Sequence, residues 1–132
     1  MPRILNSDTL SNMNLIQFEK LVFDALMDIP DDIRTRLENV DVVVEEYPTT
    51  EQLAGTGIEE PEFLLGLYEG IPLGDRYDYG MVLPDKITLF MNSIVTVSPH
   101  IEDIVKEIQN TVIHEVAHHF GINDERLVEL GL

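Results

Sequence analysis

The chain has 132 residues, 44% hydrophobic and 25% charged, with eight Lys plus Arg against 25 Asp plus Glu and a formal net charge of -17. That length suits one domain with one core, and so acidic a chain repels phosphate backbones and anionic lipid, which argues against nucleic acid or a membrane surface as partner and favours metal ions and basic peptides. There is no Cys, hence no disulfide or thiolate metal site; with no signal-peptide apolar run after "MPRILNSDTL" and no stretch near the roughly 18 apolar residues of a membrane span, a cytoplasmic protein is expected.

Residues 1–13 carry no usable period and are expected to form a loose arm, with Met13 as an alternative start, so that a single domain spans 14–132. From Asn14 onward, Leu15, Ile16, Phe18, Leu21, Val22, Ala25, Leu26 and Ile29 recur at the spacing of an amphipathic helix. Asn14 and Gln17 form a capping pair, and Pro30 stops the helix. A second short helix is expected from Asp31 to about Glu38, acidic at its start as the helix dipole favours. "VDVVVEE" (Val40 to Glu46) is a β-branched strand closed by Pro48, and residues 47–62, rich in Thr, Gly, Glu and Pro, read as a loop.

"FLLGLYEG" (Phe63 to Gly70) predicts a second strand running into the turn-forming "GIPLG", and "DRYDYG" predicts a loop. "DKITLFMNSIV" (Asp85 to Val95) predicts a third strand entered at Pro84. The last helix is expected to open with Ser98 as N-cap and Pro99 at its first position, and to run to about Phe120 with Gly121 as a left-handed stop. Along it, Ile101, Val105, Ile108 and Val112 form one apolar stripe. The fold class is α+β: two N-terminal helices, a small sheet, then one long C-terminal helix.

Chemistry concentrates in "HEVAHHFGIND", residues 114–124, which holds every His of the chain except His100. His114 and His118 lie four residues apart, about 40° around the helix and one turn up, so their imidazoles converge on one ion with Glu115 beside them. This is the H-E-x-x-H arrangement, in which two ring nitrogens bind zinc and the carboxylate acts as general base. Two His leave zinc a ligand short. The turn at Gly121 brings Asp124 back toward the ion as the best candidate for the third ligand, ahead of Glu125 and then Glu129, with a ligand from far upstream the remaining option. Three protein ligands leave a fourth position for water, the catalytic rather than the structural pattern. His119 projects at the azimuth of Ile101 and Val112, and is expected to be buried and hydrogen-bonded rather than a ligand. His100, about 27 Å from His118 along the axis, cannot share the ion.

"TVIHEVAHHFGINDERLVELG", with "LLGLYEGIPL" and "LPDKITLF", resembles the small bacterial minimal zincin-like metallopeptidase family over about Leu15 to Gly131. The resemblance implies a zincin-like fold, a long helix beneath a small mixed sheet, and one zinc ion per chain. By motif match it carries the zinc-ligand roles onto His114, His118 and Asp124 and the catalytic role onto Glu115. In one respect the chain departs from metzincins with similar ligand spacing: it has no Met after Met91, hence no Met-containing turn to floor the site.

The function expected is hydrolysis of peptide bonds in a peptide or protein substrate; the charge balance would favour a basic one, against the plainer reading that most of the acid serves solubility alone. An extended substrate would pair with an edge strand, for which Ile87 to Ser93 of the third strand is the candidate. Arg76, Tyr77 and Tyr79 are candidates for stabilising the oxyanion, against the plainer reading that each is a surface or packing residue. The competing function is a metal-binding interaction module that keeps the site without turnover; the intact Glu115 counts against it, because binding zinc does not require that residue.

Overall fold

The computed structural model describes residues 13–70 and 84–129, apart from the side chain of residue 124. The expected arm (save Met13), the "DRYDYG" loop and the candidates Arg76, Tyr77 and Tyr79 lie outside the described residues. Met13 itself packs against the core.

Helix α1 (Leu15–Met27) starts where the capping pair places it. Gln17 N–H donates to Asn14 Oδ1 at 2.8 Å, and Asn14 N–H donates to Gln17 Oε1 at 2.9 Å, which satisfies two amides left open at the helix start. Its buried face is Phe18, Val22 and Ala25. Pro30 ends the segment and opens α2 (Asp31–Arg36). The Arg34 guanidinium then reaches back to the carbonyls of Met27 and Ile29, at 2.8 and 3.1 Å, and closes the corner between the two helices.

Strand β1 (Val40–Glu45) follows as expected. The stretch 47–62 is not all loop. It contains α3 (Thr50–Ala54), capped by a second reciprocal pair, Thr49 with Gln52, and ends in a 3-10 turn, Pro61–Phe63. Pro61 fixes a helical φ at the start of that turn, so β2 is shorter than expected, Gly66–Glu69.

The third apolar run divides in two: β3 is Asp85–Phe90, and Met91–Thr96 forms α4. A short apolar run fits either structure by periodicity, and tertiary bonds decide it. Asn92 N–H donates to the Glu46 carbonyl and the Ser93 hydroxyl to the Pro61 carbonyl, both at 3.1 Å. Ser98 does not cap the next helix, because its buried hydroxyl donates to the Ile94 carbonyl at 2.6 Å and finishes α4. Helix α5 (Ile101–His119) starts two residues later than expected, and the Asp103 carboxylate takes the N–H of its N-cap, His100, at 3.2 Å. The short α6 (Asp124–Glu129) completes the described chain.

The sheet order is β1-β3-β2, with β1 parallel and β2 antiparallel to β3. The expected mixed sheet is present, but β3 is its central strand. The edge role expected of Ile87 to Ser93 is therefore wrong, since Ile87 to Phe90 are paired on both sides or buried and Met91 to Ser93 are helical. Helices α1 and α5 cover the sheet, and Gln109 Nε2 joins them by donating to the Ala25 carbonyl at 3.1 Å. The core gathers Phe18, Val22, Ile33, Ile87, Leu89 and Ile94 with Ile104, Ile108, Val112 and Val116 of α5. The buried stripe of α5 is thus centred on Ile104 to Val116, with Ile101 and Val105 only half-buried. No helix among the described residues is long and apolar enough to cross a membrane.

Candidate metal centre and active site

Burial of Val112, Val116 and Ala117 against the core turns the opposite face of α5 outward. His114 and His118 stand exposed on that face with ring centroids 6.1 Å apart and planes inclined at 58°. Glu115 is half-buried beneath β2, and its Oε1 accepts the backbone N–H of Tyr68 at 2.8 Å. Burial pushes the Glu115 carboxyl up from its ordinary value, while the Tyr68 N–H and then the neighbouring His118 and His114 pull it back.

The close approach of β2 to α5 depends on Gly66. A Cβ there would stand 2.5 Å from Thr111 Cγ2 and 3.2 Å from the Thr88 carbonyl oxygen. Glycine inside a strand pattern signals such an approach, and it was the one sequence mark of this contact. The Tyr68–Glu115 bond itself joins residues 47 apart in sequence and left no local trace.

Beyond His118 the helix ends as the sequence predicts. Gly121 takes φ +74°, Gly121 N–H bonds the His118 carbonyl at 3.2 Å and Ile122 N–H the Ala117 carbonyl at 2.7 Å, the paired closure that a left-handed glycine permits. Asn123 Oδ1 then accepts the Arg126 N–H at 2.8 Å and starts α6, with Asp124 as its first residue. Gly121 takes the left-handed conformation expected of it, while the side chain of Asp124 lies outside the described residues. Glu125 and Glu129 are exposed on α6. Among the described side chains no three His, Cys, Asp or Glu are grouped to hold a metal. His114 and His118 supply two imidazoles on one face of one turn, a donor set that suits zinc and needs one further ligand.

His119 is not buried. Its ring stacks on Tyr68 with centroids 3.9 Å apart, its Nε2 lies 3.8 Å from Asp85 Oδ2, and its side chain is 38% exposed. The azimuth expected to carry the ring into the core brings it instead onto the strand pair β2–β3, at Tyr68 and Asp85. Tyr68 also donates its hydroxyl to Asp85 Oδ2 at 2.7 Å. His100, at the far end of α5, caps the helix and takes no part in the site.

Beside Glu115 and His114 lies an open cavity of about 440 Å³, walled by Ile58, Phe63, Leu65 and Gly66 on one side and by Glu107 and Thr111 of α5 on the other. The sequence carried no hint of it, because its walls come from three separate segments.

A mixed three-stranded sheet over a helix that carries H-E-x-x-H is the layout of the zincin class. Residues 37–132 match the model of the zincin-like metallopeptidase family, and the chain belongs to that family. No curated protein matches it in sequence. It is similar to a solved conserved hypothetical protein from Thermo thermophilus, at 26% identity over 82% of this chain and 94% of that one, with a TM-score of 0.49.

Proposed function

We propose that the protein is a zinc-dependent peptidase in which His114, His118 and Asp124 hold the metal and Glu115 is the general base. The observation that carries this reading is the position of Glu115, half-buried between two exposed His and fixed through one oxygen by the Tyr68 amide. A zinc ion held by these residues would supply an activated water and a Lewis acid for the scissile carbonyl. With Oε1 held by Tyr68, Oε2 of Glu115 is the atom that takes the proton from the attacking water and returns it to the leaving amine. Burial favours the protonated form and so suits the carboxyl to both halves of that transfer.

An extended substrate has its natural partner in β2 rather than β3. Phe90 N–H bonds the Leu65 carbonyl, so Leu65 faces β3, and the alternation of an antiparallel pair turns the N–H and carbonyl of Gly66 and the carbonyl of Tyr68 to the outer edge, where the Tyr68 N–H is already taken by Glu115.

The test is cleavage of a panel of denatured proteins and peptides by the wild type and by Glu115→Gln, with zinc content measured on both. Cleavage by the wild type alone, at about one zinc per chain in each, is the expected outcome. Equal cleavage by both would remove Glu115 as the base. Zinc in both with cleavage by neither would favour the alternative, a metal-binding module without turnover.

A further inference from the structure

The cavity beside Glu115 joins two chemistries. Its walls at Ile58, Phe63, Leu64 and Leu65 are hydrocarbon, whereas α5 contributes Glu107. Glu107 precedes His114 by two helical turns, so it lies on the same face and about 10 Å nearer the start of the helix. Phe63 is 66% exposed although it borders an apolar cavity. Among the described residues no hydrogen bond or ion pair engages the Glu107 carboxylate. A second cavity of about 270 Å³ also has Glu107 and Asn110 in its lining, together with Asp103 and Lys106.

We propose that this cavity is the specificity pocket of the site and that it selects substrates with a long cationic side chain, arginine or lysine, next to the bond cleaved, through Glu107. The inference rests on the peptidase reading above. An apolar stem fits the walls at Phe63 and Leu65, and a cationic head fits the carboxylate at the far end. A purely apolar side chain would cover Glu107 with hydrocarbon and strip water from its charge with nothing in return, which is costly. An acidic side chain would be repelled there and by the chain's net charge of -17 as a whole.

The test uses peptides identical except for arginine, lysine, norleucine or glutamate at each position flanking the cleaved bond. Cleavage by the zinc-loaded wild type is measured, together with binding of the labelled peptides to zinc-loaded Glu115→Gln, which reads affinity without turnover. At one position arginine and lysine should exceed norleucine by about 10–100-fold, the range of a hydrogen bond to a charged group. Glu107→Gln should erase that preference while norleucine peptides are still handled, and Glu107→Lys should transfer it to glutamate. Cleavage without a basic preference, or a preference that survives Glu107→Gln, overturns the pocket and leaves the peptidase reading standing. A Glu107-dependent preference in binding without cleavage by the wild type upholds the pocket and overturns the peptidase reading. No preference in binding overturns the pocket whatever the activity.

Discussion

The backbone N–H of Tyr68 meets Glu115 Oε1 at 2.8 Å, while two residues earlier in the same strand Gly66 lies against Thr111, four residues earlier on the same helix. Two strand residues advance about 6.7 Å and one helical turn about 5.4 Å, so β2 and α5 keep step over this interval. The close packing at Gly66 and the hydrogen bond at Tyr68 are therefore one contact with two ends.

Gly66→Ala should loosen both ends. The new methyl meets Thr111 Cγ2 at 2.5 Å, and overpacking of this kind costs about 1–3 kcal/mol. Thermal melting should report the loss, and activity should fall as the Tyr68 amide withdraws from Glu115. Thr111→Ser removes the colliding carbon, so the double variant should recover part of the stability. Equal losses in the single and double variants would mean that the Thr88 carbonyl oxygen, at 3.2 Å, is the true obstacle.

The electrostatics of Glu115 predict a stability effect with a definite sign in the metal-free protein. Burial raises its pKa above the unfolded value of 4.5. The unfolded chain then releases the proton first as pH rises, so the cost to stability is absent below the unfolded value and complete above the raised folded one. Glu115→Gln keeps an oxygen for the Tyr68 amide and has no charge to desolvate. It should melt above the wild type at neutral pH, with the difference vanishing as the buffer is taken into the acid range. A variant that melts lower at neutral pH would show that the His pair and the Tyr68 amide outweigh burial.

How far the sequence speaks depends on how local the cause is. The α1 cap, the Gly121 stop and the His114–His118 face are set by residues within one or two turns of each other, and each is found where the spacing predicts it. The second capping pair, Thr49 with Gln52, was equally local, yet the surrounding Gly and Pro residues masked it. The strand order and the bend from β3 into α4 arise from bonds between distant segments, such as Asn92 to Glu46 and Ser93 to Pro61. Residue spacing along one segment carries no record of those. The same limit explains Glu107: its helix face was readable, but the Phe63 and Leu65 walls that make it part of a cavity were not.

The stack of His119 on Tyr68 should be separable from the metal site. His119→Ala removes an aromatic pair worth about 0.5–1.5 kcal/mol and its approach to Asp85, so melting should fall by a few degrees. His119→Phe keeps the stack and should recover most of that loss. Zinc content should stay at the wild-type level in both, because the ring is committed to Tyr68 and lies on the face of α5 away from His114 and His118. Loss of zinc from both variants would instead make His119 a ligand.

The metal site itself is tested most directly at its third ligand. Helix α5 presents two imidazoles, and after the Gly121 closure the Asn123 cap starts α6, with Asp124 as its first residue. Removing a partner that only orients a ligand weakens metal binding by roughly 10–100-fold, so loss of a ligand should exceed that. Zinc affinity measured by competition with a chelator should therefore drop further in Asp124→Ala than in Asn123→Ala, which loses only the cap. Glu125→Ala and Glu129→Ala, on exposed positions of the same short helix, should bind as the wild type does. A fall confined to Glu125→Ala or Glu129→Ala would move the third ligand to that residue. Unchanged affinity in all three acidic variants would place it elsewhere in the chain, and His114 and His118 would then share their ion with a segment that the closing motif does not contain.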